Sequence, residues 1–320
     1  MELLTPQHRL AFKGKGGDLF AVLIVNWLLT MVTLGLYYPW AKVRRLKYYY
    51  EHTELDGHPF HFHGTGREMF IGFIKAVGLL VLLYGAFFGL AMLQEAWASV
   101  LGFLVLFGVL LLLLPLIIHG TYRYRMSRSS WRGIHLGYRG DRNELYRICL
   151  RDGLLTLVTL GIYGSWFTIN LRNYVMSHVR WGSSQFAYKG DGLDFFLMNL
   201  KGYFLTLFTL GIYGFWWQKD LFHYYVDHLS WTFSDGRRLQ FKGTSTGGGF
   251  FGLIITNVLL VIFTFGIGYA WAEVRTMRFI LANIAMVGDA DLNNVAQTEQ
   301  EHKGALAEEL GDLMDIGIFL

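Results

Sequence analysis

Thr159-Leu160-Gly161-Ile162-Tyr163-Gly164-Ser165-Trp166 returns 50 residues later as Thr209-Leu210-Gly211-Ile212-Tyr213-Gly214-Phe215-Trp216. Thr33-Leu34-Gly35-Leu36-Tyr37-Tyr38-Pro39-Trp40 is a third copy. Thr264-Phe265-Gly266-Ile267-Gly268-Tyr269-Ala270-Trp271 is a fourth, with Gly268 in the tyrosine's place. A phrase that recurs at a set period marks one supersecondary unit used repeatedly, so the fold is read from the unit. Each copy closes an apolar run long enough to enter a bilayer.

A second marker opens the units: an aromatic residue, a basic residue or histidine, then glycine. It reads Phe12-Lys13-Gly14, Phe62-His63-Gly64, Tyr138-Arg139-Gly140, Tyr188-Lys189-Gly190 and Phe241-Lys242-Gly243. An acid follows in four copies (Asp18, Glu68, Glu144, Asp194), where the first turn of a helix favours negative charge. Upstream, alternation such as Phe60-His61-Phe62-His63 predicts short strands, and Asp56-Gly57 and Asp235-Gly236 are hairpin-turn signals. The second unit lacks the exit phrase and carries a longer apolar insert, with Pro115-Leu116 where Pro39-Trp40 stands in the first.

Of the 320 residues, 53% are apolar, 17% aromatic and 16% charged. This balance points to a membrane protein, and tryptophan and tyrosine are expected at its interfaces. The net charge of +4 is mild and no basic patch dominates, which excludes a nucleic-acid partner. The lone Cys149 excludes a disulfide framework and any cysteine-only metal site. The first apolar run has no small-residue cleavage site and is expected to stay in the mature chain.

The expected fold class is an all-α integral membrane protein. About six transmembrane helices are arranged in five repeats of about 50 residues, with amphipathic interfacial helices and small β-hairpins between repeats. The spans are placed near 19–40, 69–93, 97–118, 145–166, 195–217 and 250–271. The repeat-built membrane domain covers 1–285, in repeats of about 10–60, 60–136, 136–186, 186–239 and 239–285. Residues 286–320 form an acidic soluble tail, partly disordered, with a short helix near 303–315. Lys and Arg number five in 41–68, six in 119–144 and four in 218–249, against three or fewer in each of the alternate segments. That bias puts both termini outside the cytoplasm and homologous loops on opposite faces, as in transporters with inverted repeats. A competing topology keeps all the hairpin loops on one face and makes some apolar runs re-entrant.

The Phe-Lys-Gly opening, the Asn and Thr within the apolar helix, the Thr-Leu-Gly-Ile-Tyr-x-x-Trp exit and the later Tyr-x-x-x-His resemble the YjgN-like family of bacterial inner-membrane proteins. The resemblance covers roughly residues 10–285. It implies a multi-pass protein of the bacterial inner membrane and no established activity, so no catalytic or binding residue carries over from it.

Two sets of residues are candidates for function. The first is a helical stripe at a spacing of four: Trp40, Arg44, Tyr48, His52; Trp166, Asn170, Tyr174, His178; and Trp216, Asp220, Tyr224, His228. It reads either as a polar ring, one segment per repeat, or as interfacial anchoring with a histidine at the helix C-terminus. The second lies at bilayer depth: Asn26, Thr30, Asp152, Thr156, Thr206 and Asn257. These read as a polar path or ion site, or as hydrogen-bonded glue between helices. His52, His58, His61 and His63 are read as a solvated hairpin face rather than a metal site. The Gly243–Gly249 run lacks the lysine of a phosphate loop. No catalytic motif, metal or cofactor is expected. Expected partners are membrane lipids and a small solute or ion, with self-association also allowed. The leading functional reading is a transporter- or channel-like protein with its path at the repeat interfaces. The alternative is a non-conducting lipid-binding or envelope-organising protein, and the third a membrane-embedded lipid-modifying enzyme.

Overall fold

In the computed structural model, which describes residues 8–93, 95–292 and 295–298, the chain runs strand, helix, helix, strand five times. The first unit is β1 (His8–Phe12), α1 (Gly16–Val32), α2 (Tyr38–His52) and β2 (Thr53–Leu55). The second is β3 (His58–Phe62), α3 (Gly66–Ala91), α4 (Ala96–Ser127) and β4 (Ser129–Trp131). The third is β5 (Ile134–Tyr138), α5 (Arg142–Val158), α6 (Gly164–Ser177) and β6 (Val179–Trp181). The fourth is β7 (Ser184–Tyr188), α7 (Gly192–Phe208), α8 (Gly214–Asp227) and β8 (Leu229–Thr232). The fifth is β9 (Arg238–Gly243), α9 (Gly247–Phe263), α10 (Tyr269–Ala282) and β10 (Ile284–Val287).

The strands close into one antiparallel barrel in the order β1-β10-β9-β8-β7-β6-β5-β4-β3-β2. Asp56-Gly57 and Arg132-Gly133, all four residues at positive φ, make the two-residue turns β2–β3 and β4–β5, whose twist matches the strands. Tight turns therefore sit at one end of the barrel and all five helical hairpins leave from the other. The helices pack in sequence from α1 round to α10, and α10 returns to α1. Closure removes every exposed strand edge, which short strands of three to six residues need.

The register places Leu10 opposite Leu55, Phe60 opposite Trp131, Leu136 opposite Trp181, Phe186 opposite Trp231 and Phe241 opposite Met286. These ten side chains, one from each strand, line a cavity of about 150 Å³. The barrel axis is thus apolar around its whole circumference. The same register shows Phe241 standing where Leu10 stands. The opener of the fifth unit is therefore offset by two residues from the other four, and the extra residues fall before Gly247.

The all-α class with six spans is overturned by this barrel. Strands from all five units share one sheet, so homologous loops cannot lie on opposite sides of a membrane, and the inverted-repeat topology falls with it. The segments 19–40, 145–166, 195–217 and 250–271 are not single helices. Each contains a first helix, a tight turn and the start of the returning helix. Only Gly66–Ala91 and Val100–Ser127 are long and apolar enough to cross a membrane among the described residues. The residues after 285 begin as strand: Met286 is buried in β10, and Ala290 and Leu292 pack into the barrel cluster. Ser183 N donates to Ala296 O and Thr298 Oγ1 to Gly182 O, so this stretch runs across the turn end of the barrel. The proposed 303–315 helix lies outside the described residues.

Candidate functional site

The exit phrase is the tip of a helical hairpin. In each copy the residue after threonine and the following glycine both take positive φ: Leu34 and Gly35, Leu160 and Gly161, Leu210 and Gly211, Phe265 and Gly266. Gly35 N donates to Thr30 O and reverses the chain in a Schellman-like turn, as do Gly161, Gly211 and Gly266 in their copies. The threonine hydroxyl then acts twice. Thr33 Oγ1 donates to Leu29 O and accepts Tyr37 N at 2.9 Å; Thr159, Thr209 and Thr264 repeat the pattern with Tyr163, Tyr213 and Gly268. Every backbone N–H from Thr33 to Tyr38 consequently has a partner inside the turn. A cap of this kind is needed wherever water is not present to take its place.

The tip residues themselves are bare. Leu34, Leu160, Leu210 and Phe265 are 94–96% exposed. A left-handed conformation costs a non-glycine residue about 1–2 kcal/mol, and asparagine or glycine would serve the turn at less cost. Four exposed apolar residues in the left-handed region thus stand at one end of the molecule. The signal was present in the sequence, as an apolar residue where a turn favours Asn, Asp or Gly. It was hidden because the phrase reads as the end of a membrane span. The tip glycines act through φ alone: nothing lies within 4 Å of an added Cβ at Gly35, Gly161 or Gly211.

The stripe residues serve the joints of this frame. Tyr48, Tyr174 and Tyr224 donate their hydroxyls to the carbonyls of Lys15, Asp141 and Asp191, the residues that begin the first helix of the same unit. Burial pushes the Tyr174 and Tyr224 phenols up to about 12, so both remain neutral donors at physiological pH. His52, His178 and His228 bond through Nδ1 to the carbonyl four residues back and lie against the same tyrosines, ring centroids 4.3–4.4 Å apart and the planes tilted. The openers fit here too. A Cβ on Gly14, Gly64, Gly140 or Gly190 would strike the aromatic ring two residues earlier.

Trp40, Trp166, Trp216 and Trp271 lie on the first glycine of the next unit's helix, Gly66, Gly192, Gly247 and Gly16, where a Cβ would come within 2.2–2.3 Å of the indole. At the remaining joint both partners change together: Leu116 replaces the tryptophan and Arg142 the glycine. At the second position of the stripe, Asn170 Nδ2 donates to Asp152, Asp220 pairs with Lys219 at 2.6 Å, and the Arg44 guanidinium lies over the Tyr37 ring. The tryptophans of the stripe thus join neighbouring units, while each tyrosine and histidine stays within its own unit, the histidine rings also facing Phe12, Tyr138 and Tyr188 of the strands.

The polar residues at depth join the two helices of a hairpin. Asn26 Nδ2 donates to Ala41 O, and Asn257 Nδ2 to Ala272 O and Thr276 Oγ1. Asp152, wholly buried, accepts Asn170 Nδ2 at 2.9 Å and Arg151 Nε at 2.7 Å. Thr30 and Thr156 donate back along their own helices to Asn26 O and Asp152 O, whereas Thr206 Oγ1 is buried without a partner. The fourth unit has Gly202 at the Asn26 position, and Trp217 fills the space. No group of three or more His, Cys, Asp and Glu side chains is placed to hold a metal among the described residues. His63 Nε2 instead contacts Ser130 Oγ at 2.7 Å, and Thr246 in the glycine-rich run caps α9 through Gly249 N.

The fold is a ten-stranded barrel with an apolar axis, carrying five helical hairpins on one face, four of them with bare apolar tips. The chain belongs to the bacterial protein family of unknown function DUF898, which matches residues 7–204 and 217–313. It is 35% identical over 155 residues to Inner membrane protein YjgN of Salmonella typhimurium and 31% identical over 161 residues to that of Escherichia coli K12. These alignments take in 48% and 50% of this chain but only 37% and 38% of the relatives' own length. No solved structure matches the chain.

Proposed function

We propose that this is a protein of the bacterial inner membrane that seats its hairpins in the cytoplasmic leaflet, binds lipid and does not conduct. The carrying observation is the set of four exposed, left-handed apolar tips with internally bonded backbone N–H groups. In this reading α3 and α4, of 26 and 32 residues, cross the bilayer, since helices of about 39 and 48 Å exceed about 30 Å of hydrocarbon. The first helices of the other hairpins are 17 residues, about 25 Å, so these hairpins enter and return. The barrel end of the crossing pair carries Arg67, Arg123, Arg125 and Arg128, while residues 92–95 carry no Lys or Arg; the positive-inside rule then puts the barrel in the cytoplasm. The names of the relatives support the inner membrane as the location, and the apolar belt along α1, α7 and α9 supports seating of the hairpins in it. The ring of ten apolar side chains across the barrel, and polar residues spent on joining helices, favour lipid binding over a hydrated path.

The test uses an environment-sensitive dye on single cysteines at Leu160, Leu210 and Asp56, in a Cys149→Ala background in vesicles. The two tip dyes are expected to be blue-shifted and quenched by lipids brominated on the acyl chain. The Asp56 dye, at the barrel turn, is expected to be quenched by aqueous iodide. Iodide quenching at the tips equal to that at Asp56 would sink the proposal.

A further inference from the structure

The first helices of the five hairpins begin at Gly16, Gly66, Arg142, Gly192 and Gly247, and their tenth residues are Val25, Lys75, Arg151, Lys201 and Thr256. All five of these residues are exposed. Three units thus place a cation on the outer face from the first helix. The fifth unit supplies one from the returning helix instead: Arg275 Nη2 donates to Thr256 Oγ1 at 2.7 Å. Arg44 is the counterpart in the first unit, four residues after Trp40 as Arg275 is after Trp271, and it too is exposed. Every hairpin therefore carries an outward cation near the same position, reached by two different routes. A repeat that merely copied itself would keep one route.

The acids nearby leave most of this charge unmatched. Asp152 offsets Arg151, while Asp220 is taken by Lys219 and Glu273 by Arg45. Arg44 rests over the Tyr37 ring and Arg275 has the threonine hydroxyl. Lys75 and Lys201 have no hydrogen-bond or ion-pair partner among the described residues. Toward the tips, charge stops: residues 19–41, 76–94, 153–171, 202–218 and 243–272 contain no Asp, Glu, Lys or Arg. On α3 about 24 Å of helix follows Lys75, most of the ~30 Å of hydrocarbon. In the proposed seating Lys75 therefore stands where that helix meets the headgroups on the barrel side, and its long stem lets the ammonium reach them. The glycine–tryptophan joints seat α1, α7 and α9 as they seat α3, which brings the aligned positions to the same level.

We infer, resting on the lipid-binding reading above, that Arg44, Lys75, Arg151, Lys201 and Arg275 form a girdle that holds the phosphates of anionic phospholipids around the hairpins. The girdle gathers an anionic annulus and sets how deep the hairpins sit. Guanidinium and ammonium groups bond phosphate with charge assistance, and an anionic leaflet attracts cations at its surface. A leaflet also meets the other half of the same face. Phe204 and Phe208, exposed, lie three and seven residues beyond Lys201 on one side of α7, toward the tip.

The test places a dye on a single cysteine at Val25, the uncharged girdle position, in the full-length Cys149→Ala protein. The protein is held in phosphatidylcholine nanodiscs in which a fixed minor share of the lipid is chain-brominated phosphatidylglycerol or, in the parallel arm, chain-brominated phosphatidylcholine. Phosphatidylglycerol is expected to quench about threefold more strongly, or better, because it collects beside the dye. Arg44→Gln/Lys75→Gln/Arg275→Gln is expected to bring the two lipids level. Lys13→Gln/Lys189→Gln/Lys242→Gln, an equal charge change on exposed residues of the barrel, is expected to keep the preference. Equal quenching by the two lipids before any cation is changed, or an equal effect of the two triple variants, overturns the inference. Loss of the preference on adding inorganic phosphate at matched ionic strength makes the girdle a free-anion site and also overturns it. The comparison of lipids needs neither triple variant to fold. Dyes at Leu160 and Leu210 in the same discs separate the failures. Tips that stay quenched while Val25 shows no preference reject the girdle and keep the membrane seating; unquenched tips reject the seating and the girdle with it.

Discussion

The first and second hairpins are built on the same barrel yet end differently. α1 and α2 are 17 and 15 residues long and meet in the Thr-Leu-Gly turn; α3 and α4 are 26 and 32, and the sequence between them lacks that phrase. Their interiors differ too. Asn26 bonds to Ala41 O in the first, and at the matching positions of the second Ala76 packs on Ile117, both fully buried. The short hairpin satisfies its own turn with a threonine hydroxyl, whereas the long one carries the exposed Glu95 at the start of α4. In the proposed seating, length sets depth and depth sets the chemistry of the tip.

The comparison breaks most visibly in side-specific labelling. Single cysteines at Glu95, Asp56 and Ser234, in a Cys149→Ala background, are treated in whole cells with a membrane-impermeant thiol reagent. Labelling of Glu95→Cys alone is expected; labelling at Asp56 or Ser234 would place the barrel in the periplasm, and no labelling at Glu95 would deny the crossing of α3 and α4.

Removing the turn's hydroxyl is the next largest effect. Thr159→Val and Thr209→Val each leave the N–H of Tyr163 or Tyr213 without an acceptor, at about 1–3 kcal/mol, whereas Thr→Ser keeps the bond. Thermal unfolding in nanodiscs reads the difference. Valine and serine variants of equal stability would mean that the turn is not water-free.

A smaller effect separates polar from apolar joints. Asp152→Leu loses the bond from Asn170 and should cost about 1–2 kcal/mol, while Asp152→Asn keeps one acceptor and stays near wild type. Unfolding curves for both, with Ala76→Gly in the second hairpin as the apolar counterpart, test whether the two hairpins are held by different forces. Equal stability of the leucine and asparagine variants would show that packing alone holds the third.

Much of this was written locally. The Asp56-Gly57 turn, the strands around Phe60 and Phe186, the first-turn acids and the break at Gly161 each follow from rules that act over a few residues. The tyrosine and histidine stripe was legible as a pattern, but not the bonds its tyrosines make to the carbonyls of Lys15, Asp141 and Asp191. Two things were not legible. The Trp40–Gly66 joint pairs residues of different units, and its meaning appears only when Leu116 and Arg142 are seen to replace both partners at one place. The outward cations come from both helices of a hairpin, Lys75 and Lys201 from first helices and Arg275 from a returning one, and no spacing rule connects them.

By itself the sequence determined the unit: where a strand alternates, where a helix starts and stops, and which residues prefer hydrocarbon to water. Those are properties of periodicity, capping and transfer free energy, and they need no partner. Only the tertiary structure decided that the five units share one closed barrel, which sends every hairpin the same way and turns four apparent membrane spans into helix–turn–helix hairpins. The reason is that strand pairing is satisfied between units: β1 finds β10 across nearly the whole chain, and an apolar run long enough to cross a membrane looks the same whether it crosses or turns back.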